Sequence, residues 1–237
     1  MSWKKRILLG SGLCVLFLAG LIAHRLFKKG SNAPLVLIAA PVVYTEPNID
    51  PFDNLTPAER TTVVDVFFAS NRQGKGLPSD RVYANSWSDH LHLGKAQVQF
   101  GDKTTTWEQL HAASLSPDRS VPMPVTLAQS QEFGVLARTV ETNGGANQPK
   151  IGDQAFAQAI NQTLATKRNR EIKVYIHGYK VDFAHGCQMG AQLHHFAVRG
   201  GVTVAFNWAC RQRDITYFSD QERARQSIPD LVDLIEF

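Results

Sequence analysis

The sequence predicts an α/β domain with a mostly parallel sheet, preceded by a transmembrane anchor. Two apolar strands in the last third of the chain, Glu171–Ile176 and Gly201–Trp208, alternate with two helical segments. Strands separated by a helix pair in parallel through right-handed crossovers, which predicts the sheet. The run Ile7–Ala23 contains 17 residues without a charge, which predicts the anchor.

The positive charge of the chain is concentrated at one end. The 237 residues are 43% apolar and 19% charged, a composition that excludes disorder throughout. There are 25 basic and 21 acidic residues, and residues 1–30 hold six of the bases and no acid, so the remainder carries 19 bases against 21 acids. The basic pI therefore belongs to the N-terminus, and we expect no nucleic-acid partner.

Residues 1–30 are interpreted as an N-terminal membrane anchor or signal segment. A spanning helix needs roughly 17–25 apolar residues, so residues 7–23 are at the short end. A cleaved signal peptide and a buried core helix are the alternatives, but the nearest cleavage site, Ser31–Ala33, is poor because Pro34 follows it. We expect a single-pass anchor with a periplasmic or otherwise extracytoplasmic globular part, although bases on both flanks specify the orientation weakly.

Proline content divides the rest of the chain. Residues 31–60 are predicted to form a Pro-rich tether because five prolines interrupt any long element. Within it, Leu35–Tyr44 is apolar enough to pack on the domain or to lie near the membrane surface. Residues 61–237 are predicted to form an incomplete α/β domain.

The residue pattern then predicts the elements of this domain in order. Strands are expected at Thr61–Ser70, Gly94–Phe100 and Phe133–Val140, where β-branched, aromatic or alternating apolar residues occur. Loops are expected at Asn71–Asp80, 114–130 and Asn143–Pro149. Helices are expected at Trp107–Ala113 with Thr106 as cap, Asp153–Thr166, His185–Ala197 and Asp220–Phe237. Pro229 is tolerated only in a first turn, so the regular part of the last helix should begin near Ile228.

Several short motifs follow one another in an order that indicates a family. They are Val66–Arg72, Leu93–Val98, Thr106–Glu108, Val174–Phe183 with its His177-Gly178 pair, Val204–Trp208, and Tyr217 with Asp220 and Ser227. From about residue 35 onward the chain resembles the bacterial α/β-hydrolase family of uncharacterised esterase/lipase-like proteins (DUF900). Two positions depart from the family pattern: Lys180 stands where Asn is usual, and Ala209 where Pro is usual.

The resemblance implies the N-terminal part of an α/β-hydrolase-like fold without its catalytic residues. In such folds a nucleophilic Ser sits on a G-x-S-x-G elbow, and the acid and the His come later in the chain. The sequence contains no G-x-S-x-G, so we assign no catalytic residue and expect a truncated, inactive relative of enzymes that hydrolyse esters or similar acyl bonds. The backbone N–H of Tyr179 or Lys180 is the oxyanion-hole candidate, and His177 and Gly178 are interpreted as structural residues of the turn.

The remaining polar residues suggest neither a cofactor nor a metal. His90 and His92 could ligate a metal if they share a strand face, but no Cys or carboxylate partner is evident. His194 and His195 are adjacent on a helix and are expected at the surface. Cys187 and Cys210 are expected to be buried packing residues that could pair if the domain is exported, and Ser227 to be a polar or packing residue.

Three functions remain open from the sequence. The first is a hydrolase-family fragment, a pseudogene product or one half of a split gene, with a downstream polypeptide completing the sheet. The second is a membrane-anchored binding or interaction module that keeps the oxyanion pocket without catalysis. The third is an enzyme with an unrelated site, for which the sequence shows no constellation. The predicted partners are the membrane, through residues 7–23, and that downstream polypeptide; any small-molecule substrate is unknown.

Overall fold

A mixed five-stranded sheet organises the part of the chain that the computed structural model describes, residues 35–46, 49–117, 122–137, 151–211 and 217–237. The predicted anchor and the predicted loop at 143–149 lie outside these ranges. Across the described ranges, every helix is too short or too polar to cross a bilayer.

The sheet has the strand order β3-β2-β1-β5-β4. The strands are β1 (Val63–Lys75), β2 (Val82–Phe100), β3 (Val125–Ala137), β4 (Ile172–Ile176) and β5 (Val202–Asn207). β1 pairs with β2, and β2 with β3, in antiparallel fashion, whereas β5 pairs in parallel with both β1 and β4. The prediction of a mostly parallel sheet is therefore wrong. The short connection between β1 and β2 cannot make the crossover that a parallel pair requires.

The antiparallel strands extend well beyond the predicted ones. β1 covers the first half of the predicted loop Asn71–Asp80, and β3 begins inside the predicted loop 114–130. The loop prediction failed at Asn71 and Arg72, polar residues that are fully buried and hydrogen-bonded at the end of β1. Composition marked them as loop residues, but their side chains find partners inside the protein.

Five helices accompany the sheet: α1 (Trp107–Leu115), α2 (Ile151–Ala165), α3 (Phe183–Phe196), α4 (Tyr217–Gln226) and α5 (Ile228–Glu236). The predicted cap of α1 is confirmed, because Thr106 Oγ1 accepts the Gln109 N–H while the Gln109 side chain accepts the Thr106 N–H. The predicted helix at Asp220–Phe237 is two helices. The second begins at Ile228 with Pro229 in its first turn, as expected.

Apolar side chains fill both faces of the sheet. One cluster joins Val66, Phe68, Val98 and Phe100 to Phe183 of α3. The opposite cluster joins residues of β1, β2 and β5 to α2 and α5: Phe67, Leu91, Leu93, Phe206, Phe156, Ile160, Leu231 and Leu234. Each layer of helices therefore covers part of the sheet, as in other α/β domains.

Part of the predicted tether packs on the domain. The Leu37 N–H donates to the Met123 carbonyl, the Val125 N–H donates to the Leu35 carbonyl, and Leu37 belongs to the core cluster beneath α3. Phe52 and Leu55 are buried as well. Of the two expectations for Leu35–Tyr44, the structure thus shows packing on the domain.

The three parallel strands end at one edge of the sheet, where open α/β sheets bind ligands. β4 leads there into His177, β5 into Trp208, and β1 ends there with Ser70–Lys75. β4 also lies at the end of the sheet. Within the described residues, its only neighbour is β5.

Candidate functional site

The turn after β4 is held by contacts between His177 and Trp208. The Trp208 Nε1–H donates to the His177 carbonyl at 2.8 Å, and the two rings stack with centroids 5.1 Å apart. His177 Nδ1 lies 2.6 Å from the Gly178 carbonyl oxygen. A carbonyl only accepts, so Nδ1 carries the proton and Nε2 is the lone-pair nitrogen.

A buried arginine connects this turn to β1. Arg72 donates to the Asn85 side-chain oxygen at 2.6 Å and to the Val181 carbonyl at 2.7 Å. Its guanidinium also lies 3.4 Å from His177 Nε2 and 3.7 Å from Cys210 Sγ. Arg72 belongs to the motif Val66–Arg72, but the sequence predicts no role for it. The local sequence pattern does not show which distant acceptors an Arg near a strand end will contact.

The environment keeps His177 neutral. Burial lowers its pKa to about 3, and the positive charge of Arg72 acts in the same direction. Both ring nitrogens already have partners, one in the Gly178 carbonyl and the other in the Arg72 guanidinium. The structure therefore places His177 as a brace of the turn and not as an available general base.

The oxyanion candidates Tyr179 and Lys180 occupy the tip of this turn. Lys180 has φ +63°, a left-handed conformation in which Asn is several-fold enriched among residues other than Gly. That geometry gives a physical reason for the Asn expected there from the resemblance. A Cβ on Gly178 would meet nothing within 4 Å, so no close contact with the described residues requires a glycine there.

The turn leads directly into the N-terminus of α3. Asp182 caps this helix, with Oδ1 accepting the His185 N–H at 2.8 Å. The first N–H groups of a helix and its dipole favour negative charge, so the turn lies beside an electropositive backbone end. An oxyanion or carboxylate bound at the turn would be stabilised by that field.

A cavity of about 700 Å³ opens beside the start of α3. It is lined by Asp182–Ala184, by residues 79–85 before and within β2, and by residues 127–130 of β3. Asn85, which holds Arg72, is among the lining residues. The cavity and the turn therefore lie at the same carboxyl edge of the sheet.

Three hydroxyl or thiol groups near this edge, those of Ser70, Cys210 and Ser227, donate to backbone carbonyls. Ser70 Oγ donates to the Asn207 carbonyl at 2.9 Å, and Cys210 Sγ donates to the Val181 carbonyl at 3.0 Å. Ser227 Oγ donates to the Arg223 carbonyl at 2.8 Å and accepts from Asn71. An activated nucleophile needs a base as its partner, and these groups have none of that kind.

The cysteines behave as packing residues. Cys187 and Cys210 are fully buried and both are free thiols, so the alternative of a disulfide between them is not realised. Burial raises the pKa of the Cys187 thiol to about 12. A thiol in that state is a small apolar group and not a nucleophile.

The prediction that His194 and His195 lie at the surface is wrong. His194 Nδ1 lies 3.1 Å from Thr203 Oγ1, and His195 Nε2 lies 2.7 Å from Ser114 Oγ. Burial lowers the pKa of His194 to about 3 and that of His195 well below its usual value. The His195 ring stacks on Phe52, so the segment assigned to the tether covers the face of α3 that the sequence left open to solvent.

His90 and His92 differ in their surroundings. His90 is exposed, whereas His92 is buried between Ser88 and Glu132. Across the described ranges, no three His, Cys, Asp or Glu side chains come together as a metal site would require.

Comparison with known proteins identifies the last third of the chain. Residues 152–237 match the model of a family described as alpha/beta hydrolase of unknown function (DUF900), so the resemblance inferred from the sequence is confirmed there. This range contains α3, α4, α5, β4, β5 and nearly all of α2. No curated protein and no solved structure matches the chain.

Proposed function

We propose, from the membership of residues 152–237 in this α/β hydrolase family, that the chain contributes the oxyanion-binding turn of a serine-hydrolase-like site. The observation that carries the proposal is that β4, the strand leading into His177 and Gly178, lies at the end of the sheet and has β5 as its one neighbour among the described residues. A further strand paired with β4 would end beside the turn, where a nucleophile elbow is needed.

The outer side of β4 is suited to accept that strand. The Val202 N–H donates to the Glu171 carbonyl, and in a parallel ladder alternate N–H groups point to opposite sides. The N–H groups of Val174 and Ile176 therefore point away from β5. The side chains of Ile172, Val174 and Ile176 are 40–54% exposed, so the strand offers both unpaired donors and apolar surface.

The chemistry divides between the two strands. The chain supplies an N–H from Tyr179 or Lys180, and the added strand supplies the nucleophilic Ser and the second oxyanion N–H. Either N–H alone can bind a carbonyl or carboxylate oxygen. Acyl transfer at the turn requires the nucleophile, so hydrolysis of an ester there depends on the partner strand.

Membrane attachment through residues 7–23 is the second part of the proposal and rests on the apolar run and its basic flanks. With a reporter enzyme fused after Phe237, we expect an extracytoplasmic signal and a mature chain that retains residues 1–30. A mature N-terminus near residue 34 would contradict the anchor, and a cytoplasmic reporter signal would contradict the orientation.

Co-expression tests the shared site. The full chain is produced alone and with the polypeptide encoded directly downstream of the Phe237 codon, and hydrolysis of p-nitrophenyl butyrate is measured. We expect a co-purifying pair that hydrolyses the ester. A Val174→Lys, Ile176→Lys variant should lose both pairing and the hydrolysis gained on pairing, whereas the matched change Val42→Lys, at an exposed residue outside the sheet and the cavity lining, should lose neither.

The activity of the chain alone separates the alternatives. Ester hydrolysis by the chain alone, if it persists when Ser88, the hydroxyl beside His92, is replaced by Ala, would contradict the division of the site between two strands. Carbonyl or carboxylate binding at the turn without any gain of hydrolysis on co-expression would favour the non-catalytic binding module.

A further inference from the structure

A serine, a histidine and a glutamate form one hydrogen-bonded chain on β2 and β3. Ser88 Oγ lies 3.1 Å from His92 Nε2, and His92 Nδ1 lies 2.9 Å from Glu132 Oε2. The geometry points to a second reactive site, in which Ser88 is the nucleophile, His92 its base and Glu132 the residue that orients the base. Its substrate class is a carboxylic ester or a similarly activated acyl compound.

The proton positions follow from the partners. Glu132 receives Arg81 at 2.9 Å and Tyr83 Oη at 2.7 Å in addition to His92. Burial raises the pKa of Glu132, but the hydrogen bonds from His92 and Tyr83 outweigh it and the pKa is lowered, so the group is a carboxylate at neutral pH. A carboxylate only accepts, so His92 Nδ1 carries a proton, and in the neutral imidazole Nε2 is then the acceptor for the Ser88 O–H. This is the tautomer that a nucleophile–base pair requires.

An irregularity in β2 creates the contact. In a regular strand residues four apart are separated by about 13 Å, too far for Ser88 and His92 to meet. Here Ser70 pairs with His92 and Arg72 pairs with Trp87, so Ser88 and the three residues after it lie opposite Asn71 alone. Such bulges re-aim side chains next to active sites, and this one lies at the carboxyl edge of the parallel strands.

The site has both access and a neighbouring cavity. Ser88 is half-buried, whereas His92 and Glu132 are almost fully enclosed. Arg81 and Tyr83, which bind Glu132, line the cavity of about 700 Å³. The cavity thus reaches the side chains that hold Glu132, and the half-buried Ser88 hydroxyl is the more accessible end of the hydrogen-bonded chain.

The reaction balances with water as the only co-reactant. Ser88 Oγ bonds to the ester carbonyl carbon while its proton moves to His92 Nε2. The carbon–alkoxide bond then breaks, and the alcohol leaves with that proton. Water next attacks the acyl-Ser88 and gives a proton to Nε2, which returns it to Ser88 Oγ as the carboxylic acid departs.

Covalent labelling of the full chain tests the assignment. A fluorophosphonate probe forms a bond from Ser88 Oγ to phosphorus, expels fluoride and passes the serine proton to His92. Mass spectrometry of digested protein should locate one label on Ser88. Ser88→Ala should remove it, whereas Ser86→Ala should leave it, because Ser86 Oγ on the same strand donates to Gln73 and has no histidine partner.

Variants of the base and of the orienting residue distinguish a reactive site from a structural one. His92→Gln should slow labelling about 100-fold, since a general base contributes at least this much. Glu132→Gln should slow it at least tenfold, because an amide N–H facing Nδ1 favours the wrong tautomer. Thermal unfolding identifies variants that fail to fold, and for these the contrast in labelling between the Ser88→Ala and Ser86→Ala variants serves instead.

Three results would overturn the assignment: no label on Ser88, equal labelling of Ser86, or a labelling rate that a folded His92→Gln variant leaves unchanged. None of these three measurements needs the downstream polypeptide, so a negative result here does not bear on the proposal for β4. Failure of co-expression likewise leaves Ser88 untouched.

Discussion

Among single residues, Lys180 combines an unfavourable backbone conformation with a position in the candidate site. Its φ of +63° costs a residue with a Cβ roughly 1–2 kcal/mol, and Gly escapes this cost while Asn reduces it. The family pattern has Asn here, so Lys180 trades backbone stability for a positive charge at the tip of the turn. The backbone conformation explains why Asn is usual at this position, and the Lys found there is compatible with the fold.

Replacing Lys180 should therefore stabilise the protein. We expect Lys180→Asn and Lys180→Gly to raise the free energy of unfolding by about 1 kcal/mol, which corresponds to a Tm increase of roughly 2–4 °C for a domain of this size. Lys103→Asn is the matched control, because Lys103 is an exposed lysine without a positive φ. An equal Tm change in both lysine variants would show that charge, not backbone conformation, sets the effect.

Single residues also show where sequence reasoning reaches its limit. The turn residues His177 to Lys180 were identified through the family resemblance of the His-Gly motif that follows a predicted strand. Arg72, Glu132 and the Ser114 partner of His195 were not, since each makes a contact with a residue that is 40 or more positions away in the chain. Local pattern carries no signal for such distant pairs.

At the scale of elements, prediction succeeded where periodicity was long and regular. β4, β5, α1 and α2 were located within one or two residues, because apolar spacing and a capping residue define them locally. β1 and β2 were predicted too short, and β3 was misplaced. Their ends lie in polar segments whose strand conformation depends on pairing and on buried hydrogen bonds, which composition does not record.

The open side of β4 gives a prediction for hydrogen exchange. In the full chain without a partner, we expect the amides of Val174 and Ile176 to exchange at least 100-fold faster than that of Tyr175, whose N–H faces β5 in the observed ladder. Exchange read by NMR or by fragmentation mass spectrometry resolves these neighbours. Uniform slow exchange along 172–176 would show that something already pairs with the strand.

At the scale of the whole molecule, the exposed strand affects solubility and association. β4 combines outward N–H groups with three half-exposed aliphatic side chains at 172, 174 and 176. At roughly 25 cal/mol per Å² of apolar surface, a few hundred Å² left in water costs several kcal/mol. A domain is stable by only about 5–15 kcal/mol, so this cost is large enough to favour association.

We therefore predict that residues 31–237, freed of the predicted anchor, are oligomeric, molten or insoluble when no strand is supplied to β4. The surface of β4 that would pair with a partner strand can also pair with a second copy of the chain, since an apolar edge strand is a template for other chains.

Sedimentation velocity over a range of concentrations measures the oligomers, and near-UV circular dichroism measures fixed packing. Val174→Lys should shift the population toward monomer, because a charge on an edge strand opposes pairing, whereas Val82→Lys in β2 should not. A monomeric protein with a sharp, cooperative thermal transition would contradict the prediction and would favour the self-sufficient binding module over a shared hydrolase site.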